Sequence, residues 1–137
     1  SQKNVKLVRR LNYNEVHKVL NKYKIALMPY GNKIMSKAKN IEISRYISPL
    51  KMFDYLSAGN IIIASKLLAY KHILKNHSNS FVIDNKKIHL WKKTINKIFK
   101  KPRNYKYIKL NAINTAKKHS WDIRAKKYFN FIKNKNL

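Results

Sequence analysis

The segment Ser48-Pro49-Leu50-Lys51-Met52-Phe53-Asp54-Tyr55-Leu56-Ser57-Ala58-Gly59 runs directly into Asn60-Ile61-Ile62-Ile63-Ala64-Ser65, and the pair leaves the chain few folds. Ser48 is a good helix N-cap, Pro49 suits a first helical position where its missing N–H is no loss, and Gly59 can close the helix in the left-handed region. The strand that follows is apolar on both faces, the pattern of a central parallel strand covered by helices on each side. A helix apolar on most of its sides (Leu50, Met52, Phe53, Tyr55, Leu56) leaves Asp54 little free solvent. A carboxylate so placed needs a partner. Lys51, three residues earlier on the same face, is one. The other is a ligand whose hydroxyls donate to Asp54 while its anionic group meets the free N–H groups of the helix N-terminus.

The rest of the chain repeats the alternation of strand and helix. Residues 5–9 read as a first strand, after which Asn12 or Asn14 caps a helix with Val16, Val19, Leu20 and Tyr23 on its apolar face. Residues 25–28 form a second strand that Pro29-Tyr30-Gly31 ends, and residues 32–47 lack a period and read as a long loop. Residues 61–64 make the third strand, a short helix lies around Tyr70, Ile73 and Leu74, and residues 80–83 make the fourth strand. Three helices finish the chain. One carries Ile88, Trp91, Ile95, Ile98 and Phe99 and stops at Pro102, and the next carries Tyr105, Ile108, Ala112 and Ala116. The last, capped by Ser120, carries Trp121, Ala125, Tyr128, Phe129 and Ile132, and both Trp91 and Trp121 are expected in the core. Such an order implies parallel pairing through right-handed crossovers: an α/β fold, a Rossmann-like parallel sheet of about four strands flanked by helices, the last three of them packed together. Ligands of these sheets bind beyond the carboxyl ends of the strands, where the loop after Met28 and the start of the motif helix both lie.

A chain of 137 residues fits one domain, 1–137, and its 45% hydrophobic content argues for a packed core. No apolar run reaches the ~20 residues of a membrane span, and residues 1–10 have no apolar centre of the signal-peptide kind. Without cysteine, disulfides and thiolate metal sites are excluded. The five His (His17, His72, His77, His89, His119) show no metal-pair spacing, so no metal is expected. The two glycines, Gly31 and Gly59, cannot build a glycine-rich phosphate cradle. Glu15 and Asp122 each fall in the first turn of a helix, where the dipole accounts for them. A hydrolytic carboxylate pair would have to join Glu42 to Asp54 across the long loop.

The order of motifs is more informative than any one of them. Ser48-Pro49-Leu50-Lys51-x-Phe53-Asp54-Tyr55-Leu56-x-Ala58-Gly59 and its apolar strand resemble the nucleotide-sugar motif in the C-terminal domain of GT-B glycosyltransferases, family 4 in particular. Ala26-Leu27-Met28-Pro29-Tyr30 resembles the strand and loop before that motif, Leu68-Ala69-Tyr70-Lys71-His72-Ile73-Leu74 the short helix after it, and His119-Ser120-Trp121 the start of the last helix. The resemblance covers residues 5–132. It implies half of a GT-B architecture: a C-terminal fragment that binds a nucleotide-diphosphate sugar, lacks its N-terminal acceptor domain and is inactive alone. By that resemblance Asp54 holds the ribose hydroxyls, Ser48, Pro49, Leu50 and Lys51 flank the diphosphate and sugar, Tyr30 borders the site, and Arg10-Leu11 meets the base. The family usually has Glu where Asp54 stands, and a further Glu where this chain has Tyr46. The implied enzyme is a hexosyltransferase building polysaccharide, lipopolysaccharide or a lipid-linked glycan of the cell envelope, with the sugar nucleotide as donor substrate and no cofactor. It would be cytoplasmic, peripheral at the inner face of the membrane.

The formal charge of +27 opens two alternatives, a basic nucleic-acid-binding module and a non-catalytic interaction domain. The balance of 27 Lys to 5 Arg, with 17 Asn and 17 Ile, fits A/T-rich coding as well as it fits a binding surface. Arg is the residue favoured for bidentate phosphate and base recognition, so nucleic acid is not the expected partner. An anionic lipid surface remains one, since each Lys or Arg near it adds about 1 kcal/mol. Oligonucleotide binding should therefore be weak and steeply salt-dependent in a filter or anisotropy assay; sequence-selective binding that survives about 200 mM salt would make nucleic acid the partner.

Overall fold

The computed structural model describes residues 3–31, 33–36 and 41–134. Its centre is a three-stranded parallel sheet in the order β1 (Ile25–Met28), β2 (Ile61–Ser65), β3 (Ser80–Ile83). Ile25 pairs with Ile61 and Met28 with Ala64, while Ile62 pairs with Ser80 and Ser65 with Ile83. The middle strand is buried along its whole length, as a strand apolar on both faces must be. Helix α1 (Tyr13–Leu20) precedes β1, α2 (Leu50–Ser57) precedes β2, and α3 (Ile88–Lys100), α4 (Lys106–Lys118) and α5 (Trp121–Asn134) follow β3. A 3₁₀ turn over Leu68–Tyr70 leads from β2 toward β3, and another over Pro102–Tyr105 joins α3 to α4.

Each sheet face has its own core. Met28, Ile62 and Ala64 pack with Met52 and Leu56 of α2, with Ala112 of α4, and with Leu67, Tyr70 and Leu74. On the opposite face Ile61, Ile63 and Phe81 meet Trp91 and Ile98 of α3 and Ile108 of α4. Burial of one such aliphatic side chain contributes about 1.5–3 kcal/mol, so the two clusters supply most of the driving force. Buried polar groups are stitched to backbone. The Ser65 hydroxyl donates to Met28 O at 3.2 Å, and the Tyr70 hydroxyl donates to Ser65 O, tying β1, β2 and the 3₁₀ turn together at the carboxyl edge of the sheet. Burial pushes the Tyr70 phenol above its ordinary pKa and keeps it a neutral donor. Asn79 accepts from Lys75 N and donates to Ile73 O and the Thr115 hydroxyl, which fixes the approach to β3 against α4.

The turn after α2 is a Schellman closure: Asn60 N–H donates to Tyr55 O and Gly59 N–H to Leu56 O. Gly59 has φ +65, a region that side chains rarely adopt. Next to it the Asn60 amide donates to Leu20 O at 3.0 Å and Tyr23 O at 2.7 Å, and Ile61 N–H donates to Lys24 O. The end of α1 is thereby fastened to the start of β2.

Four sequence expectations change. Residues 5–9 are not a strand: Val5, Leu7 and Val8 are exposed, and with no ladder partner among the described residues their β propensity has nothing to pair with. The sheet therefore has three strands. Ser48 is not the cap of α2, whose N-cap is the extended Pro49, so the helix starts one residue later than the Ser-Pro pattern suggests. Trp91 is buried and donates its indole N–H to Asp84 O, but Trp121 is 75% exposed. Finally, α3 and α4 pack on the sheet while every residue of α5 is exposed, so the last three helices do not form one packed group. In the loop after β1, residues 33–36 and 41–44 meet in an antiparallel bridge (Met35 with Glu42) fastened by Ile34 N–H to the buried Ser44 hydroxyl at 2.7 Å.

Gly59→Ala should cost about 1–2 kcal/mol in a chemical denaturation experiment, because a Cβ there is strained at positive φ and would stand 3.0 Å from Ile113 Cδ1. Unchanged stability would show that the closure of α2 does not depend on the glycine.

Candidate functional site

Helix α2 presents Met52 and Leu56 to the core and turns Leu50, Phe53, Asp54 and Ser57 outward. Two clefts border that outward face, and Asp54 lies on both. The smaller, about 260 Å³, runs between α1 and α2 and is lined by Tyr13, Asn14, Val16, His17, Leu20, Asp54 and Ser57. The larger, about 960 Å³, lies between α2, the end of α4 and the start of α5. Its walls are apolar at Leu50, Phe53, Ile73, Ile113, Ala116 and Ile123, and its charged groups are mostly basic: Lys117, Lys118, Arg124 and Lys127 against Asp54 and Asp122. The larger volume falls in the range of small-molecule and cofactor sites.

Helix α1 is placed by the Asn12 cap, whose N–H donates to the Glu15 carboxylate at 3.0 Å, and this sets Tyr13 and His17 across from α2. Helix α5 is placed by Ser120, which accepts from Ile123 N–H, and the adjoining His119 ring meets Phe53 at 5.9 Å between centroids. Tyr13, His17 and His119 are thus the site neighbours that the sequence did not disclose. Only the chain path around the sheet brings them to α2, and no spacing along the sequence records it.

The expected site residues divide into groups. Ser48, Leu50 and Asp54 share the wall of the larger cleft, with Pro49 between them as the helix cap. Lys51 is exposed and sits 6.0 Å from the centroid of the Tyr30 ring, within reach of a cation–π contact, while Tyr30 packs partly into the core. Arg10 and Leu11 precede α1, and the residues lining the two clefts include neither. Among the described residues the ion pair is Lys33 with Glu42, so Asp54 does not take Lys51 as its partner. The described residues also bring together no group of three His, Asp or Glu side chains able to hold a metal. No family model, curated protein or solved structure matches this chain.

Asp54 is half-buried, and desolvation pushes its carboxyl above the ordinary carboxylate range, with the nearby His17 offsetting part of that rise. The folded state therefore keeps this proton at pH values where the unfolded chain has released it. Its contribution to stability is complete below the ordinary value of 3.8 and is lost as pH rises through the raised one. Asp54→Asn, which cannot ionise, should be more stable than the parent near neutral pH, and the gain should shrink as pH falls toward 3.8, measured by denaturation at several pH values. A loss of stability near neutral pH would mean that the ionised carboxylate is held by a partner of its own.

Proposed function

We propose that this chain is the donor-binding domain of a GT-B glycosyltransferase of the family 4 kind, and that the cleft along α2 receives a nucleoside-diphosphate sugar. The observation that carries the reading is the juxtaposition at Asp54. A half-buried, desolvated carboxylate to which no cation of the described residues is bonded borders an open cleft of cofactor size whose other charged groups are mainly basic. A carboxylate of that kind accepts hydroxyl hydrogen bonds, as from a ribose, and the basic groups around it favour a diphosphate. Leu50, Phe53 and the His119 ring offer apolar and aromatic surface to the rest of the ligand. Ser48 and Pro49 lead the start of α2 to the same wall, while Lys51 and Tyr30 pair on another side of the helix and serve the sugar end.

In the complete reaction the bond between the sugar's anomeric carbon and the diphosphate oxygen breaks, and an acceptor hydroxyl takes the glycosyl group and yields its proton. The contribution of this domain is donor binding and stabilisation of the departing diphosphate. The acceptor would be supplied by a second domain, for a polysaccharide, lipopolysaccharide or lipid-linked glycan.

Titration of the chain with UDP, GDP, ADP and their sugars, followed by NMR, should move resonances of residues 48–54 with one nucleotide preferred. Asp54→Asn should weaken that nucleotide by roughly tenfold or more, the equivalent of about 1.5–3 kcal/mol for a hydrogen bond to a charged group, while leaving the fold intact. A nucleotide affinity unchanged in Asp54→Asn would remove Asp54 from the site. Shifts with oligonucleotides and none with any nucleotide sugar would replace the reading altogether.

A further inference from the structure

Helix α5 carries an apolar stripe that the core does not use. Trp121, Ala125, Tyr128 and Ile132 recur at helical spacing on one side, with Phe129 beside them. They are exposed to an unusual degree for such residues: Trp121 by 75%, Phe129 by 68%, Tyr128 by 59% and Ile132 by 51%. The helix turns Ile123, Arg124 and Lys127 to the large cleft, whose lining Trp121 also reaches, while Tyr128, Phe129 and Ile132 lie outside it. Basic residues bound it on both flanks, Lys126 and Lys133 on one and Arg124 and Lys127 on the other, with Asp122 the single acid of the helix. The Arg124 guanidinium also stands 5.5 Å from the centroid of the Trp121 ring, which joins the cationic flank to the aromatic end of the stripe.

We propose that α5 is an interfacial helix that docks this chain on an anionic lipid surface. Trp and Tyr prefer the headgroup layer, Phe and Ile the acyl boundary beneath it, and flanking Lys and Arg reach anionic headgroups; α5 has all three in register on one helix. The helix is 14 residues long, or about 21 Å, and among the described residues no helix is long and apolar enough to cross a membrane, so α5 lies in the interface plane. Charge selects this occupant over a second copy of the chain. Two copies bring +27 against +27, with Arg124, Lys126, Lys127 and Lys133 facing their own kind, whereas a bilayer containing acidic lipid offers both the apolar layer and the counter-charge. Nucleic acid would satisfy the charge and leave the aliphatic part of the stripe wet. The inference is independent of the donor-site reading, because Tyr128, Phe129 and Ile132, the part of the stripe that carries it, do not line the cleft.

The test compares vesicles of phosphatidylcholine with vesicles that also contain phosphatidylglycerol. Any protein this basic adheres to anionic vesicles, so the decisive variant is the triple change Tyr128→Ser, Phe129→Ser, Ile132→Ser, which leaves charge untouched and removes no core residue and none that lines the cleft. It should lower partitioning into phosphatidylglycerol vesicles by roughly tenfold or more, because buried apolar area sets the strength of interfacial binding. Brominated acyl chains should quench the fluorescence of the parent chain, and Trp121→Phe should abolish that quenching while leaving the emission of buried Trp91. Equal partitioning of parent and triple variant, or quenching that persists in Trp121→Phe, would overturn the proposal. So would a concentration-dependent dimer in sedimentation that the triple variant abolishes, or oligonucleotide binding that the triple variant loses.

Discussion

The fold depends on β2 being paired along both edges and covered on both faces. Ile62 and Ile63 are wholly enclosed, one in each core, so the middle strand anchors both clusters of side chains. A slip of one residue would exchange the two faces and place each isoleucine in the other's cluster, which is why the register is strongly specified. From that anchor the positions of the helices follow. Gly59 reverses the chain immediately before β2, so α2 must lie against the strand it feeds. Asp54, less than two turns back along α2, is carried to the outer surface beside α1.

What could be read from the sequence was what local chemistry determines. The three observed strands stand where runs such as Ile25-Ala26-Leu27-Met28 and Ser80-Phe81-Val82-Ile83 put them, and the glycine closure of α2 was visible in Gly59. What could not be read were features that depend on a neighbour. Residues 5–9 have strand composition but, among the described residues, no strand beside them, and composition does not report whether a ladder partner exists. Trp121 has the same apolar spacing on its helix as Trp91 has on α3, yet only α3 has a sheet face to cover. Hydrophobic periodicity marks a face that wants covering and is silent about whether anything in the same chain covers it.

The site shows the same division. The motif pointed to Asp54 and its helix, and the structure sets Lys51 aside as its partner: Lys51 stands near the Tyr30 ring and forms no ion pair with the carboxylate. The folded chain thus tolerates a carboxylate that solvent no longer fully stabilises and that pairs with no cation among the described residues. Natural proteins accept such local costs where binding or chemistry needs them, and a surface so rich in lysine makes an acid without a bonded cation more telling than it would be in a neutral protein.

The Asn60 amide has a mechanical consequence. Its two hydrogen bonds hold the carboxyl end of α1 to the sheet, whereas the opposite end of α1, at Tyr13, forms the mouth of the cleft facing Asp54. The eight residues of α1 span about 12 Å from the pin at Asn60 to the exposed Tyr13. A rotation of only about 5° at the pin moves the free end by about 1 Å, the difference between a hydrogen-bonded contact and a gap too small for water. The width of the cleft is thereby sensitive to the seating of an amide at the far end of α1 that does not line it.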